Sequence, residues 1–220
     1  MTLRFIVFDF DGTIADTRPT FIQILNGLAG EFGYEPVNED EARQLRHLSS
    51  EEIVRQSKLS PFKIPFLLRR AKRELNKEIS QIAPIWGMDK ALEQLKQEGY
   101  ELGIVTSNSQ ENVIKFLAAH QLEDLFCFIS SGTTIFGKHK LIQQFLRCNE
   151  LVPSAMLYVG DETRDIEAAR RCQVPVIAVT WGFNSTDILT QYRPDGLAHH
   201  PQELLQVIQK AAIAKNLTPT

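Results

Sequence analysis

The stretch that most limits what this chain can become is Arg4-Phe5-Ile6-Val7-Phe8-Asp9-Phe10-Asp11-Gly12-Thr13. The run Phe5 to Phe10 is short, β-branched and aromatic, and Gly12 stops it, which predicts a buried central strand. Asp9 and Asp11 share one strand parity, so both side chains point to the same side where the strand ends. Two like charges at the end of an apolar strand are costly unless a cation or hydrogen-bond donors offset them. In open α/β sheets the carboxyl ends of the strands are where ligands bind, so this position suits chemistry. The competing reading is that both aspartates only cap the following turn.

The rest of the chain indicates what surrounds that strand. A helical run is predicted from Thr20 to Phe32, ended by Gly33 and Pro36. A second spans Asp40 to Gln56, with Ser50 as an internal N-cap, and a third spans Phe62 to Ile79. Arg69, Arg70, Lys72 and Arg73 on the third read as a solvated basic face. No strand signal occurs between Ala15 and Gln81. From Ile82 onward helices and strands alternate. Strands are predicted at Glu101–Val105, Phe126–Ile129, Ala155–Val159, Val176–Val179 and, weakly, Gly196–His199. Helices are predicted at Met88–Glu98, Gln110–His120, Lys138–Cys148, Thr163–Cys172 and Pro201–Ala214, with a disordered tail from Asn216. Such alternation means βαβ units and a parallel sheet. The expected fold is an α/β, Rossmann-like core over residues 1–14 and 82–220, with an inserted all-helical cap over residues 15–81.

Three more strand ends carry polar residues. Thr106-Ser107-Asn108-Ser109 follows one strand and offers hydroxyls and amides to an anion. Phe136-Gly137-Lys138-His139-Lys140 opens a helix, and a lysine in a first turn opposes the macrodipole, so helix stability does not explain Lys138. A cation reaching toward carboxylates would explain it. Gly160-Asp161 ends a further strand, and Asp165 follows one helical turn later, so Asp161 and Asp165 face one point. A few hard oxygen ligands suit Mg²⁺ that keeps waters and shares a phosphate. Phosphate with Mg²⁺ is the ligand whose charge balances the whole collection.

Composition bounds the partners. The 220 residues carry a net charge of −3, which gives no electrostatic reason to expect nucleic acid. No apolar stretch approaches a membrane span, and the three scattered cysteines fit buried thiols in a reducing cytosol. The chain enters its first strand without a secretory pattern, so a cytoplasmic monomer or homodimer is expected.

In order and spacing, Asp9-Phe10-Asp11-Gly12-Thr13, Thr106, Lys138, and Gly160-Asp161 with Asp165 resemble the four motifs of the haloacid dehalogenase superfamily. Within it the chain is similar to phosphoglycolate phosphatases and β-phosphoglucomutases, which carry a helical cap after the first motif. The resemblance implies that Asp9 is the nucleophile, forming an aspartyl phosphate, and that Asp11 protonates the leaving oxygen and then activates water. It implies that Asp9, the Asp11 main-chain carbonyl and Asp161 hold Mg²⁺, supported by Asp165. Thr106 with the amide of Ser107 or Asn108 would bind phosphate oxygens, and Lys138 would neutralise charge, with Lys140 as runner-up. Gly12 would allow the tight turn beside the phosphate. Arg43, Arg46, His47 and Ser49 lie where a cap loop could reach the site, and Arg46 is the substrate-binding candidate among them. A polar helix surface is the competing reading for all four. The implied activity is a Mg²⁺-dependent phosphatase of a small phosphorylated metabolite, phosphoglycolate-like. A phosphomutase or a non-catalytic phospho-acceptor domain is the alternative.

Overall fold

The computed structural model describes residues 2–57, 59–132 and 137–219; Phe136 of the third motif and Thr220 fall outside them. Six parallel strands form one sheet: β1 (Phe5–Phe8), β2 (Glu101–Thr106), β3 (Phe126–Ser131), β4 (Met156–Gly160), β5 (Val176–Val179) and β6 (Gly196–Ala198). Their order is β3-β2-β1-β4-β5-β6, the doubly wound arrangement. β1 is the central strand, pairing Phe8 with Ile104 of β2 on one side and with Val159 of β4 on the other. The strand order reverses between β1 and β4, so a crevice opens beyond their carboxyl ends.

The alternation along β1 distributes it between two layers. Ile6 and Phe8 pack into a core with α5 (Met88–Gln97), α6 (Gln110–His120) and α10 (Leu204–Ala214). Phe5 and Val7 face the opposite core, with α7 (Lys138–Cys148) and α8 (Thr163–Arg171). Continuing that parity, Asp9 leaves the strand on the α7–α8 side. A short helix, α9 (Thr186–Gln191), precedes β6 and has no counterpart in the predicted elements.

Between β1 and α5 stand four helices: α1 (Arg18–Phe32), α2 (Glu39–Leu45), α3 (Ser50–Gln56) and α4 (Ile64–Glu78). α4 buries Leu67, Ala71 and Leu75, successive turns of one face, in the same cluster as Ile24 and Leu28 of α1. The run predicted as one helix from Asp40 to Gln56 is two. Ser49, not Ser50, caps the second: its hydroxyl accepts from the Glu52 amide while Glu52 receives the Ser49 amide. The break frees the carbonyls of residues 46 and 48 to accept hydrogen bonds from Asn184. The tail is also more ordered than its composition predicts. Leu217 is buried, and Thr218–Pro219 pairs in parallel with Thr2–Leu3.

Gly103, in the middle of β2, is required by packing. A Cβ there would lie 2.0 Å from the Phe128 ring, which is itself stacked on Phe145 at 3.9 Å. Gly103→Ala is expected to destabilise the fold by about 1–3 kcal/mol through overpacking. A urea midpoint unchanged from wild type would show that this ring has room to move.

Candidate active site

The carboxyl ends of β1, β2 and β4 and the first turn of α7 converge on one point. Lys138 is only 3% exposed and reaches between two acids, Asp9 Oδ2 at 2.8 Å and Asp165 Oδ1 in a tighter ion pair. Lys140, two residues on, is exposed. The side chains of Asp9, Asp161 and Asp165 are buried, and one oxygen from each lies within 4.8 Å of the others. Asp161 is oriented by two donors, the Thr13 hydroxyl at 2.7 Å and the Phe183 amide at 2.7 Å. Asp165 Oδ2 accepts the Glu162 amide at 3.1 Å. Asp9 Oδ1 has no hydrogen-bond donor among the described residues.

Charge in this cluster is unbalanced. Against Asp9, Asp11, Asp161, Glu162 and Asp165 stand the Lys138 ammonium, the Arg164 guanidinium, which pairs with Glu162, and the Lys72 ammonium near Asp11. Burial and the Glu162 and Asp9 charges drive the Asp161 carboxyl well above its usual range. Burial lifts Asp165 to about 6 although Lys138 pulls the other way. Burial and the adjacent Asp9 charge raise Asp11 to about 6. Burial pulls Lys138 down, but Asp165 and Asp9 outweigh it and hold its ammonium above the ordinary range. The buried Asp9, Asp161 and Asp165 oxygens, two of these carboxyls raised by burial and by like charge, are a donor set that fits a divalent cation.

The other motif residues surround this cluster. Thr106 is buried at the end of β2, and its hydroxyl oxygen accepts the Asn108 amide at 2.9 Å, leaving the hydroxyl proton to donate. The Asn108 side chain turns to Asp11, donating to Oδ1 at 2.9 Å. Ser107 presents its carbonyl to Lys72, which extends from α4 across the cleft. Gly12 sits at φ +74°, and a Cβ there would lie 2.4 Å from Asp161 Oδ2, so glycine is required twice over. Arg46 stands apart from the carboxylates. Its guanidinium donates to the carbonyls of Thr180, Gly182 and Phe183 at 3.3–3.4 Å, fastening the α2–α3 loop to the loop after β5. Trp181 donates to the Thr13 carbonyl at 3.1 Å, so residues 181–183 form a packed loop behind Asp161.

Several participants carry no mark in the sequence. Thr13 was visible only as the last letter of a motif, and Arg164 only as a charge beside Asp165. Lys72 does not belong to a solvated face: it is half-buried, and burial lowers its ammonium pKa. The available signal was its place beside Ala71 on the stripe that α4 buries. Arg69 and Arg73 do face solvent, and Arg70 pairs with Glu74 and Glu31.

The raised carboxyls predict a pH dependence. A group whose folded pKa exceeds its unfolded value contributes stability below the unfolded pKa, and loses it as pH rises through the folded one. With chelator present, the folded protein therefore weakens between about pH 4 and about pH 7, as Asp11 and Asp165 ionise. A loss of about 1 kcal/mol or more, roughly 2–4 °C in Tm, is expected, and a divalent cation should reverse it. A melting temperature flat across that interval with chelator would contradict the assignment.

A family model described as haloacid dehalogenase-like hydrolase matches residues 6–179. A phosphoglycolate phosphatase of Synechococcus elongatus is 41% identical over 206 residues, covering 94% of this chain and 97% of that one. An N-acetylmuramic acid 6-phosphate phosphatase of Pseudomonas aeruginosa is 27% identical, with 96% and 97% covered. A crystal structure from Clostridium acetobutylicum, described as a predicted phosphatase, superposes with a TM-score of 0.82 at 18% identity. It covers 96% of this chain and 100% of its own, and at that identity it speaks for the fold alone. Together with the four strand-end motifs gathered around Lys138, the match over residues 6–179 shows that the chain belongs to the haloacid dehalogenase-like hydrolase family.

Proposed function

We propose that this protein is a Mg²⁺-dependent phosphatase that hydrolyses a small phosphomonoester through an aspartyl phosphate, with phosphoglycolate as the first substrate to test. The observation that carries this reading is the Asp9 carboxylate, buried, held by Lys138 on Oδ2 and free of donors on Oδ1. A carboxylate with one anchored and one unengaged oxygen is positioned to act as a nucleophile. The 41% identical cyanobacterial relative, covered along almost its whole length, supports the substrate class.

In this mechanism the Asp9 carboxylate attacks phosphorus and the ester oxygen leaves with a proton from Asp11. Its pKa near 6 keeps a useful fraction protonated near neutrality, and the carboxylate left behind can take a proton from water. That water attacks the phosphorus of the aspartyl phosphate, releasing inorganic phosphate and restoring Asp9. Thr106 and the Ser107 amide hold the phosphoryl oxygens, the Asn108 amide being committed to the Thr106 hydroxyl; Gly12 lets the backbone approach them, and Lys138 neutralises charge as it moves from Asp9 to phosphate. Asp9, the Asp11 main-chain carbonyl and Asp161, with Asp165 in support, would hold Mg²⁺, which when bound supplies further neutralisation of the phosphoryl oxygens. Lys72 is the cation the helical insertion brings to Asp11, and it suits a substrate with a second anionic group. Arg46, committed to three backbone carbonyls, serves this reading as a fastening of the cap over the site.

The same reading divides the chain into a core over residues 1–14 and 82–220 and a cap over residues 15–81. Only Cys172 is buried as expected, Cys127 and Cys148 being exposed; three free thiols support a reducing, cytoplasmic setting, and a monomer or homodimer is part of the same proposal. Among the described residues no helix is long and apolar enough to cross a membrane.

Turnover of phosphoglycolate should need Mg²⁺, stop with EDTA, and fall by at least about a thousandfold in Asp9→Asn, which keeps the shape of the side chain. Wild-type enzyme inert toward a panel of phosphomonoesters, or an Asp9→Asn variant that retains activity, would overturn the mechanism. Activity on other phosphomonoesters but not on phosphoglycolate would overturn only the substrate.

A further inference from the structure

Asn112 is a buried polar side chain that lies outside the motifs and outside the mechanism above. It stands in the first turn of α6 and is wholly buried, at a place where a leucine would fill the space without desolvating an amide. Its contacts account for it. Lys115 Nζ donates to Asn76 Oδ1 at 2.9 Å, and Asn76 Nδ2 donates to Asn112 Oδ1 at 2.5 Å. Asn112 Nδ2 donates to Asn108 Oδ1 at 2.9 Å, and Asn108 Nδ2 donates to Asp11 Oδ1 at 2.9 Å. Three carboxamides thus form an unbroken line of donated hydrogen bonds that starts at an ammonium and ends at the carboxylate of Asp11.

The direction of that line is fixed at each step by a group with only one role. The Lys115 ammonium can only donate, so Asn76 must present its oxygen there. The Lys72 carbonyl, 3.3 Å from Asn112 Nδ2, can only accept, so Asn112 must present its NH₂ on that side. The Ser109 amide, 2.8 Å from Asn108 Oδ1, can only donate, so the NH₂ of Asn108 must point to Asp11. Flipping any one amide would set donor against donor or acceptor against acceptor. Each amide polarises the next, so the last donor in the line is stronger than an isolated asparagine would be.

Asn76 and Lys72 belong to α4, in the helical insertion, whereas Asn108, Asn112 and Asp11 belong to the α/β core. The line therefore exists only when α4 is docked on α6. We propose that Asn112, itself held by Asn76 and the Lys72 carbonyl of α4, is a positioning residue that orients the Asp11 carboxyl through Asn108 for delivery of the leaving-group proton. This rests on the reading of Asp11 as general acid given above.

Leaving groups separate this role from a merely structural one. An alkyl phosphate needs its leaving oxygen protonated, whereas p-nitrophenyl phosphate expels a stable phenolate and needs little help. For both, kcat/KM reports the steps through formation of the aspartyl phosphate. Asn112→Ala should lower kcat/KM for the best alkyl substrate by about tenfold or more while leaving that for p-nitrophenyl phosphate within about threefold. Asn76→Ala, at the partly exposed end of the line, should do the same on a smaller scale, about threefold against no change. Neither substitution should cost anything further in an Asp11→Asn background, because the group they act through is gone.

Folded Asn112→Ala and Asn76→Ala proteins that slow both substrates alike, or slow neither, would overturn the inference. Should Asn112→Ala fail to fold, Asn76→Ala alone decides. Asp11→Asn is the reference: without a leaving-group split of its own, the general-acid reading fails. If Asp11→Asn shows the split and the asparagine variants do not, only the positioning role fails.

Discussion

The ion triad of Lys138 with Asp9 and Asp165 is the interaction on which the rest of this site depends. All three side chains are buried, and removing each charge from water costs several kcal/mol. A hydrophobic triad of similar volume would cost nothing of the kind, so the arrangement is not there to stabilise the fold. Its effect is positional. It places an ammonium at the first turn of α7, where the helix dipole disfavours it, and keeps one oxygen of Asp9 anchored. The other oxygen, buried at the end of β1, has no donor among the described residues. Because Lys138 serves two acids at once, the third, Asp161, must be held by neutral donors, Thr13 and the Phe183 amide. The loop after β5 exists in its packed form for that purpose. Gly182 lies so close that a Cβ would fall 2.1 Å from Asp161 Oδ2.

How much of this could be read from the chain depends on the range of each interaction. Asp9, Asp11, Asp161, Asp165 and Lys138 were legible because the information is local: a strand's parity, its abrupt end, a helical turn, a lysine at the wrong pole of a helix. The parallel sheet was legible for the same reason, since alternating strands and helices allow few topologies. The helix break at residues 46–49 was not, because a continuous helical pattern and a broken one look alike until Asn184 claims the freed carbonyls. The order of the C-terminal tail was hidden likewise, since its partner Thr2–Leu3 lies at the other end of the chain. Lys72 was misassigned for a related reason. Four basic residues close together on one helix suggest a solvated face, and only the docking of α4 against the β2–α6 turn singles out the one that turns inward.

These long-range contacts share one property, which explains why they leave no trace in local sequence. Many of the polar contacts between the insertion and the core end on backbone groups. Arg46 donates to three carbonyls, Lys72 to a fourth, Asn184 returns hydrogen bonds to the carbonyls of Arg46 and Leu48, and Ser185 donates its amide to Arg46. Backbone acceptors are present at every residue, so nothing in the sequence announces which will be used. An interface of polar contacts also behaves differently from an apolar one. Each of its groups finds an equivalent partner in water when the surfaces part, so the net stability per hydrogen bond is small, about 0.5–1.5 kcal/mol. Beside these polar contacts, Ile24, Leu28, Leu67, Ala71 and Leu75 of the insertion share one buried cluster with Phe10 and Phe116 of the core.

On the mechanism proposed above, an aspartyl phosphate is shielded from stray nucleophiles while it forms and then meets one water. The core carries the carboxylates at its strand ends, and the inserted helices bring Lys72 and Asn76 toward those ends. The apolar interior of the insertion keeps it intact as a body. Lys72, Asn76 and Arg46 are polar side chains that cross from it to the core.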